Sequence, residues 1–413
     1  MSPRPDPASD PTSDAARDEL AQRLTAAVRA APGPLPTPVV VVDLDAFDAN
    51  ADDLLRRAAG TPIRVASKSV RVPDLLERVL ARDGFTGVLA YTLAEALWLQ
   101  EQGVSDDVVV AYPTVDAAAL GRLTSEPDAA ARVTIMVDEV AHLDVVERAR
   151  VGDEPVRVAV DVDAGLRLAG QHLGPKRSPL QDVDDVLALA REVLGRPGFR
   201  LVGVMTYEGQ VAGVPDDVPS QRARSAVVRR IKALSLRQLE ERRGRIAEEL
   251  SRLVDLEFWN AGGSGSVQHT VADPVVTEVA AGSGLLVPTL FDHYRSFRPR
   301  PAAFFGLPVT RRPSPDVATV HGGGLVASGA AGPDRLPAPW APAGLALTAL
   351  EGAGEVQTPL TGAPASGLAV GDLVWFRHAK SGELFEHTTT AHLLAGDALV
   401  DHVPTYRGHG LAF

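Results

Sequence analysis

Lys68 closes the apolar run Ile63 to Ala66 within TPIRVASKSVR, which puts an amine at the C-terminal end of an expected strand. An ammonium there is costly to desolvate unless it is paired or used covalently. In an eight-stranded β/α barrel the strand C-termini build the active site, and a lysine of lowered pKa can form a Schiff base. The alternative is a lysine that snorkels its head into solvent; its neighbours decide between the two. The run VRVAVDV leads into DAGLRLAG, so Asp161, Asp163 and Arg167 fall near a second strand end. A guanidinium offers planar donors to a carboxylate, a phosphate or a ring nitrogen, whereas Asp163 reads equally as half of a structural ion pair. A third run ends in MTYEG, where Tyr207 offers a face to a planar ligand and Glu208 an acceptor; alone, Tyr207 reads as a core residue.

Two small-residue loops complete the set. NAGGSGS (260–266) follows a late run and contains Gly262, Gly263, Ser264, Gly265 and Ser266, while AAGSGL (280–285) contains Ser283 and Gly284. Consecutive glycines leave backbone N–H groups open to a phosphate, and loops after late barrel strands are the recurrent phosphate site of that fold. A strand-end amine, an aromatic wall, a guanidinium and a phosphate cup are together what pyridoxal phosphate needs.

These residues require a scaffold that brings strand ends to one mouth. Nine β-branched runs alternate with amphipathic stretches: 39–44, 63–67, 87–91, 108–112, 133–138, 156–162, 201–207, 256–260 and 277–281. Strands alternating with helices read as βαβ units, and the count is one more than a closed (β/α)₈ barrel holds. The run 39–44 is therefore assigned to a second domain. Asp45 is the expected N-cap of a helix over 46–59, a helix is expected over 15–31, and 220–254 reads as one long Arg-rich helix whose charges face solvent. From about 290 the pattern changes to short strands, Gly turns and Pro-rich connectors. The expected organisation is an N-terminal extension, partly disordered (1–36, with disorder over 1 to about 13), a TIM barrel (37–290) and a C-terminal β domain (291–413), in an α/β fold.

With 413 residues and 45% hydrophobic residues the chain can bury a sizeable core. Its formal charge of −12 argues against nucleic acid or anionic lipid as partner. The absence of cysteine removes disulfides, thiolate nucleophiles and Cys metal ligands, so a metal must be held by His, Asp or Glu. The first residues lack the apolar segment of a signal peptide and no stretch is long enough for a membrane span, so a cytoplasmic protein is expected.

At these motifs the chain resembles the alanine racemase-like, fold-type III pyridoxal phosphate proteins, in particular their D-threonine aldolase and D-serine dehydratase branch. TPVVVVDLDAFDAN is similar to the family's opening, VASKSVR to its cofactor-lysine segment, MTYEGQ to its YEGH-like motif, and NAGGSGS and TEVAAGSGLL to its phosphate loops; the resemblance covers residues 37 to 413. It implies pyridoxal 5'-phosphate carried on Lys68, with Arg167, Tyr207, Gly262 to Ser266, Ser283 and Gly284 as ring and phosphate contacts, and a homodimer. Members of the branch hold a divalent metal through a histidine followed two residues later by Asp or Cys. The matching stretch here is RHAKSGELFEH, in which His378 is present and Lys380 takes the second place. A protonated amine cannot coordinate a cation. His378 stands as the metal candidate, with Glu383 and His387 nearby at a different spacing. Alternatively His378, Lys380 and His387 serve as acid and base, or are exposed loop residues. Gln210 stands where the YEGH-like motif has histidine.

The resemblance implies a lyase acting on a small amino acid, a D- or β-hydroxy amino acid, by deamination, dehydration or retro-aldol cleavage. An amino-acid racemase is the second reading. A non-catalytic pyridoxal phosphate-binding protein and a cofactor-free Schiff-base aldolase of sugar phosphates are the others.

Overall fold

The computed structural model describes residues 12–168, 170–298 and 300–413. The disorder expected of residues 1 to about 13 falls outside them, save Thr12 and Ser13. Ser13 caps the first helix, Asp14–Arg29, by accepting from the Ala16 N–H. β1 (Val39–Asp43) is buried along its whole length. It hands over directly to a helix, Leu44–Ala58, whose N-cap is Asp43, accepting from Ala46 N at 3.1 Å. The expected cap, Asp45, instead accepts from Gly396 N; the helix begins as soon as β1 ends and uses the first carboxylate available.

The barrel runs through β2 (Ile63–Ala66), β3 (Phe85–Ala90), β4 (Val108–Val110), β5 (Val133–Val137) and β6 (Val156–Asp161). A short antiparallel hairpin, β7 (Leu166–Leu168) and β8 (Gln171–Leu173), interrupts it before β9 (Phe199–Thr206), β10 (Phe258–Ala261) and β11 (Glu278–Ala281). β2 to β6 and β9 to β11 close into an eight-stranded parallel barrel. Such strands are covered on both faces, which explains why they read as continuous apolar runs instead of alternating ones. Their outward side chains pack under the helices, and the inward ones, Val109, Met136, Ala159, Val202, Met205 and Phe258, form a separate cluster that fills the barrel. At Gly203 a Cβ would lie 2.3 Å from the Phe258 ring, so the absence of a side chain makes room for that ring. One cation is buried here as well: Arg64 bonds both oxygens of Glu278, at 2.7 and 2.8 Å.

The remaining strands are β12 (Ala303–Ser314), β13 (Val317–His321), β14 (Ala338–Ala341), β15 (Ala346–Leu347), β16 (Gln357–Thr361), β17 (Leu373–Arg377), β18 (Thr390–Ala395) and β19 (Ala398–Pro404). Together with β1 they make a nine-stranded sheet. β1 runs antiparallel to β12, with Val41 opposite Phe304, and parallel to β18. The chain thus crosses this sheet first, builds the barrel, and returns. Turn residues after β17 reach the barrel: Gly382 N donates to the Lys68 carbonyl at 3.4 Å, and a Cβ on Gly382 would sit 3.0 Å from the Ser69 carbonyl carbon.

The long helix is Arg222–Leu250, and most of its arginines face solvent; Arg243, 1% exposed, does not. Among the described residues no helix is long and apolar enough to cross a membrane.

Because Phe258 fills the barrel opposite a glycine, Phe258→Ala is expected to destabilise the chain by about 3–5 kcal/mol, read as a lowered denaturant midpoint. An unchanged midpoint would mean the ring does not fill that space.

Candidate active site

A cavity of about 300 Å³ opens at the C-terminal ends of the barrel strands. This is within the size range of small-molecule sites. Lys68 lines it from the turn after β2, Tyr112 from beyond β4, Tyr207 from beyond β9, Gly262 to Ser264 from beyond β10, Gly282 and Ser283 from beyond β11, and Lys380 from the turn after β17.

Lys68 lies in a single 3₁₀ turn, Ser67–Ser69, whose side chains are tied down on both sides. Ser67 Oγ donates to the Leu89 carbonyl and Ser69 Oγ shares a hydrogen bond with Ser283 Oγ at 2.9 Å. Arg71 adopts φ +56°, a left-handed value unusual for a side chain of its size, and its guanidinium donates to the Lys68 carbonyl and pairs with Glu386. The amine is aimed by this turn. Lys68 Nζ donates to Tyr112 Oη at 2.9 Å. Burial alone would push the Tyr112 phenol up, yet the charge and hydrogen bond of Lys68, with Arg177, outweigh it and hold the phenol below its ordinary value. A phenol so placed gives up its proton more readily than a free tyrosine.

The opposite wall is built from glycine. Gly262 has φ +80°, in the region that favours glycine. A Cβ on Gly263 would meet Ala212 Cβ at 3.0 Å, and one on Gly282 would meet the Ala66 carbonyl at 2.5 Å. The two loops are joined through Ser264, whose Oγ accepts from Gly282 N at 3.1 Å and Gly284 N at 2.9 Å. Beneath them Glu208, fully buried, accepts from Gly262 N at 3.1 Å and from Thr270 Oγ1, and pairs with Arg243 at 2.9 Å. Arg243 in turn bonds the Thr206 hydroxyl and carbonyl and Asp273. Gly265, Ser266 and Gly284 do not line the cavity; Ser266 Oγ bonds Thr270 Oγ1 at 3.0 Å and supports the loop from behind.

Arg167 is not where the sequence suggests. It is exposed on the β7–β8 hairpin, as is Leu168 beside it, and of this strand Leu166 alone is buried. The hairpin reverses the chain and delivers Arg177 to the mouth instead, its guanidinium 5.2 Å from the Tyr112 ring centroid and 5.1 Å from that of Tyr207. Asp163 holds the hairpin, accepting from Gly165 N and Gln181 and bonding His172 Nε2 at 2.8 Å. Tyr112 carries the same signal as Tyr207, an aromatic closing a β-branched run, and could have been read from it. Arg177 had no local signal, because only the hairpin brings it back.

The RHAKSGELFEH stretch divides. Lys380 reaches the cavity, with Nζ donating to Ser328 Oγ at 2.7 Å and to the Ser328 carbonyl at 3.0 Å, and burial lowers its pKa. His378 does not. It is buried with Nε2 donating to the Ser381 carbonyl at 2.6 Å and Nδ1 without a partner, and burial holds it neutral, down to about 4. His387 is exposed and Glu383 is engaged with Ser328. Among the described residues no group of three or more His, Asp or Glu is arranged to hold a metal ion. The donor set expected from His378 does not assemble, because the ring turns its Nε2 to its own turn and an ammonium stands in the second place.

The family model described as alanine racemase, N-terminal domain, matches residues 42–266, and the chain belongs to that family. It is 28% identical over 252 residues to a D-threonine aldolase of an Arthrobacter species, covering 60% of each chain. It is 26% identical over 254 residues to a 3-hydroxy-D-aspartate aldolase of Paracoccus denitrificans, covering 60% of this chain and 59% of that one. The match thus spans about 60% of the length of these curated relatives. Among solved structures, the D-threonine aldolase from Filomicrobium marinum superposes with a TM-score of 0.72 at 20% identity, over 92% of this chain and 96% of that one. D-threo-3-hydroxyaspartate dehydratase from a Delftia species gives 0.67 at 20% identity, over 90% and 97%. These structures share the barrel-plus-sheet fold.

Asp161, buried at the end of β6, has its carboxyl pushed up to about 7 by burial and by the nearby Asp138, with Arg177 opposing. A carboxyl raised on folding from 3.8 binds more protons in the folded than the unfolded state between these values, so stability falls as pH rises through that window. Asp161→Asn is expected to melt above the unaltered protein at pH 8, with the gain shrinking toward pH 4. A difference that does not vary with pH would contradict the assignment.

Proposed function

We propose that this chain is a pyridoxal phosphate-dependent lyase acting on a D- or β-hydroxy amino acid. The observation that carries the reading is that the Lys68 amine and a glycine-walled loop pair line one cavity. The residues fit the cofactor. Lys68 would hold its aldehyde carbon, Tyr207 and Tyr112 would flank a planar ring with Arg177 across both, and the glycine wall of 262, 263 and 282, where any Cβ would clash or crowd, would receive the phosphate. When bound, the cofactor supplies an electron sink for the charge left on the substrate's α-carbon.

The chain's own residues supply the rest. Tyr112, hydrogen-bonded to Lys68 and with a lowered pKa, is suited to hold and return a proton beside that amine. Arg177 balances negative charge near both phenols. Apolar neighbours keep water from the amine: Met205, buried, and Leu89, half-buried, line the cavity. A lyase is favoured over a racemase because the relatives matched in sequence are named aldolases acting on D-threonine and 3-hydroxy-D-aspartate.

Purified protein incubated with pyridoxal phosphate is expected to gain a visible absorption band that responds to one or more 3-hydroxy D-amino acids, with carbonyl product released. Lys68→Ala should lose both band and turnover while folding normally by circular dichroism. A band of undiminished intensity in that variant would overturn the role given to Lys68.

A further inference from the structure

The geometry points to Lys380 as a built-in cation that binds the β-oxygen of the substrate, where a lyase for β-hydroxy amino acids could otherwise use a divalent metal ion. The inference rests on the function proposed above. In retro-aldol cleavage the β-hydroxyl first gives its proton to a base, for which the Lys68–Tyr112 pair stands in the same cavity, and its oxygen then becomes the carbonyl of the released product while the Cα–Cβ electron pair stays on the α-carbon; in dehydration the oxygen leaves with the Cβ–O pair and takes up a proton as water. In both, a fixed positive charge beside the β-oxygen stabilises the negative charge it carries on the way. Among the described residues no ligand set is placed to hold a metal there: His378 does not line the cavity, His387 is exposed, and Glu383 accepts from Ser328 N at 2.9 Å and Ser328 Oγ at 2.6 Å.

An ammonium does reach it. Ser328 Oγ gives its only proton to Glu383 and therefore accepts from Lys380 Nζ, at 2.7 Å. The Ser328 carbonyl accepts a second N–H at 3.0 Å. Glu383 stands 3.8 Å away, too far for a hydrogen bond and close enough to favour the charged amine. Of the three N–H groups of an ammonium, two are thus fixed by Ser328 and one is left for a ligand in the cavity that Lys380 shares with Lys68. The chain packing helps to set this placement, since Gly382, two residues on, lies against the Lys68 and Ser69 backbone, where a Cβ would be crowded at 3.0–3.1 Å. Two amines with separate duties therefore face one cavity: Lys68 beside a phenol, and Lys380 on a serine–glutamate support.

The test uses the full chain loaded with pyridoxal phosphate. Equilibrium dialysis against Mn²⁺ should show no stoichiometric binding, and turnover of 3-hydroxy D-amino acids should be the same in EDTA as in added Mn²⁺. Lys380→Met should keep the visible cofactor band and lose about 10²–10³-fold in kcat, with Lys380→Arg recovering part of it. Stoichiometric Mn²⁺ binding, or turnover abolished by EDTA and restored by Mn²⁺, would overturn the inference, as would full activity in Lys380→Met. Should Lys380→Met fold poorly by circular dichroism, Ser328→Ala replaces it, with a fall in kcat expected and unchanged turnover counting against the inference. Failure of the unaltered protein to form the visible band at all would instead strike the functional reading, and this inference with it.

Discussion

A single buried carboxylate sets the shape of the mouth. Glu208 has no contact with water and accepts from the Gly262 N–H, Thr270 and Arg243, so the loop after β10 is bound to the loop after β9 and to the long helix at one point. Burying such a charge is unfavourable unless it is paired and its lone pairs are satisfied, and removing one partner of a buried pair typically costs about 3–5 kcal/mol. The arrangement therefore tolerates few alternatives. It fixes Gly262 in a left-handed conformation, which in turn presents Gly263 and Ser264 to the cavity, and Ser264 then holds the loop after β11 through two backbone N–H groups. What looks in sequence like two flexible glycine stretches is a cross-tied wall.

The facing wall depends on the other half of the chain. The Lys68 turn is held from the barrel side by Ser67 and Ser69, and from the sheet side by Arg71 with Glu386 and by Gly382. Tyr406, from the C-terminal stretch, donates to Glu95, a buried carboxyl pushed up to about 7 by burial. The connection between β17 and β18 and the C-terminal stretch thus both bear on the turn that aims the amine, the latter through Tyr406 N, which donates to the Arg71 carbonyl at 3.1 Å. The hydrophobic core runs unbroken from barrel to sheet, which keeps these contacts in register.

Much of this was legible in the sequence, for physical reasons that can be named. Barrel strands are buried on both faces, so their β-branched runs stand out, and a lysine, a tyrosine or a glycine pair at the end of such a run must lie at the mouth. That argument reaches Lys68, Tyr207 and Gly262 to Ser264, all of which line the cavity. It fails for Arg167 because the residues after β6 leave the barrel as a hairpin, which carries Arg167 and Leu168 out to solvent. Arg177 comes back only through that reversal. The helix cap was missed by two residues because β1 and its helix share no connecting loop. His378 and Lys380 illustrate a limit of motif reading: spacing alone cannot tell that the imidazole turns to the Ser381 carbonyl while the ammonium beyond it reaches the cavity.

The proposal that one barrel amine carries the cofactor can be tested without knowing the substrate. Protein loaded with pyridoxal phosphate, reduced with borohydride and digested, should yield a single modified peptide containing Lys68, identified by mass spectrometry. Modification found instead on Lys380, spread over surface lysines, or absent would contradict the account.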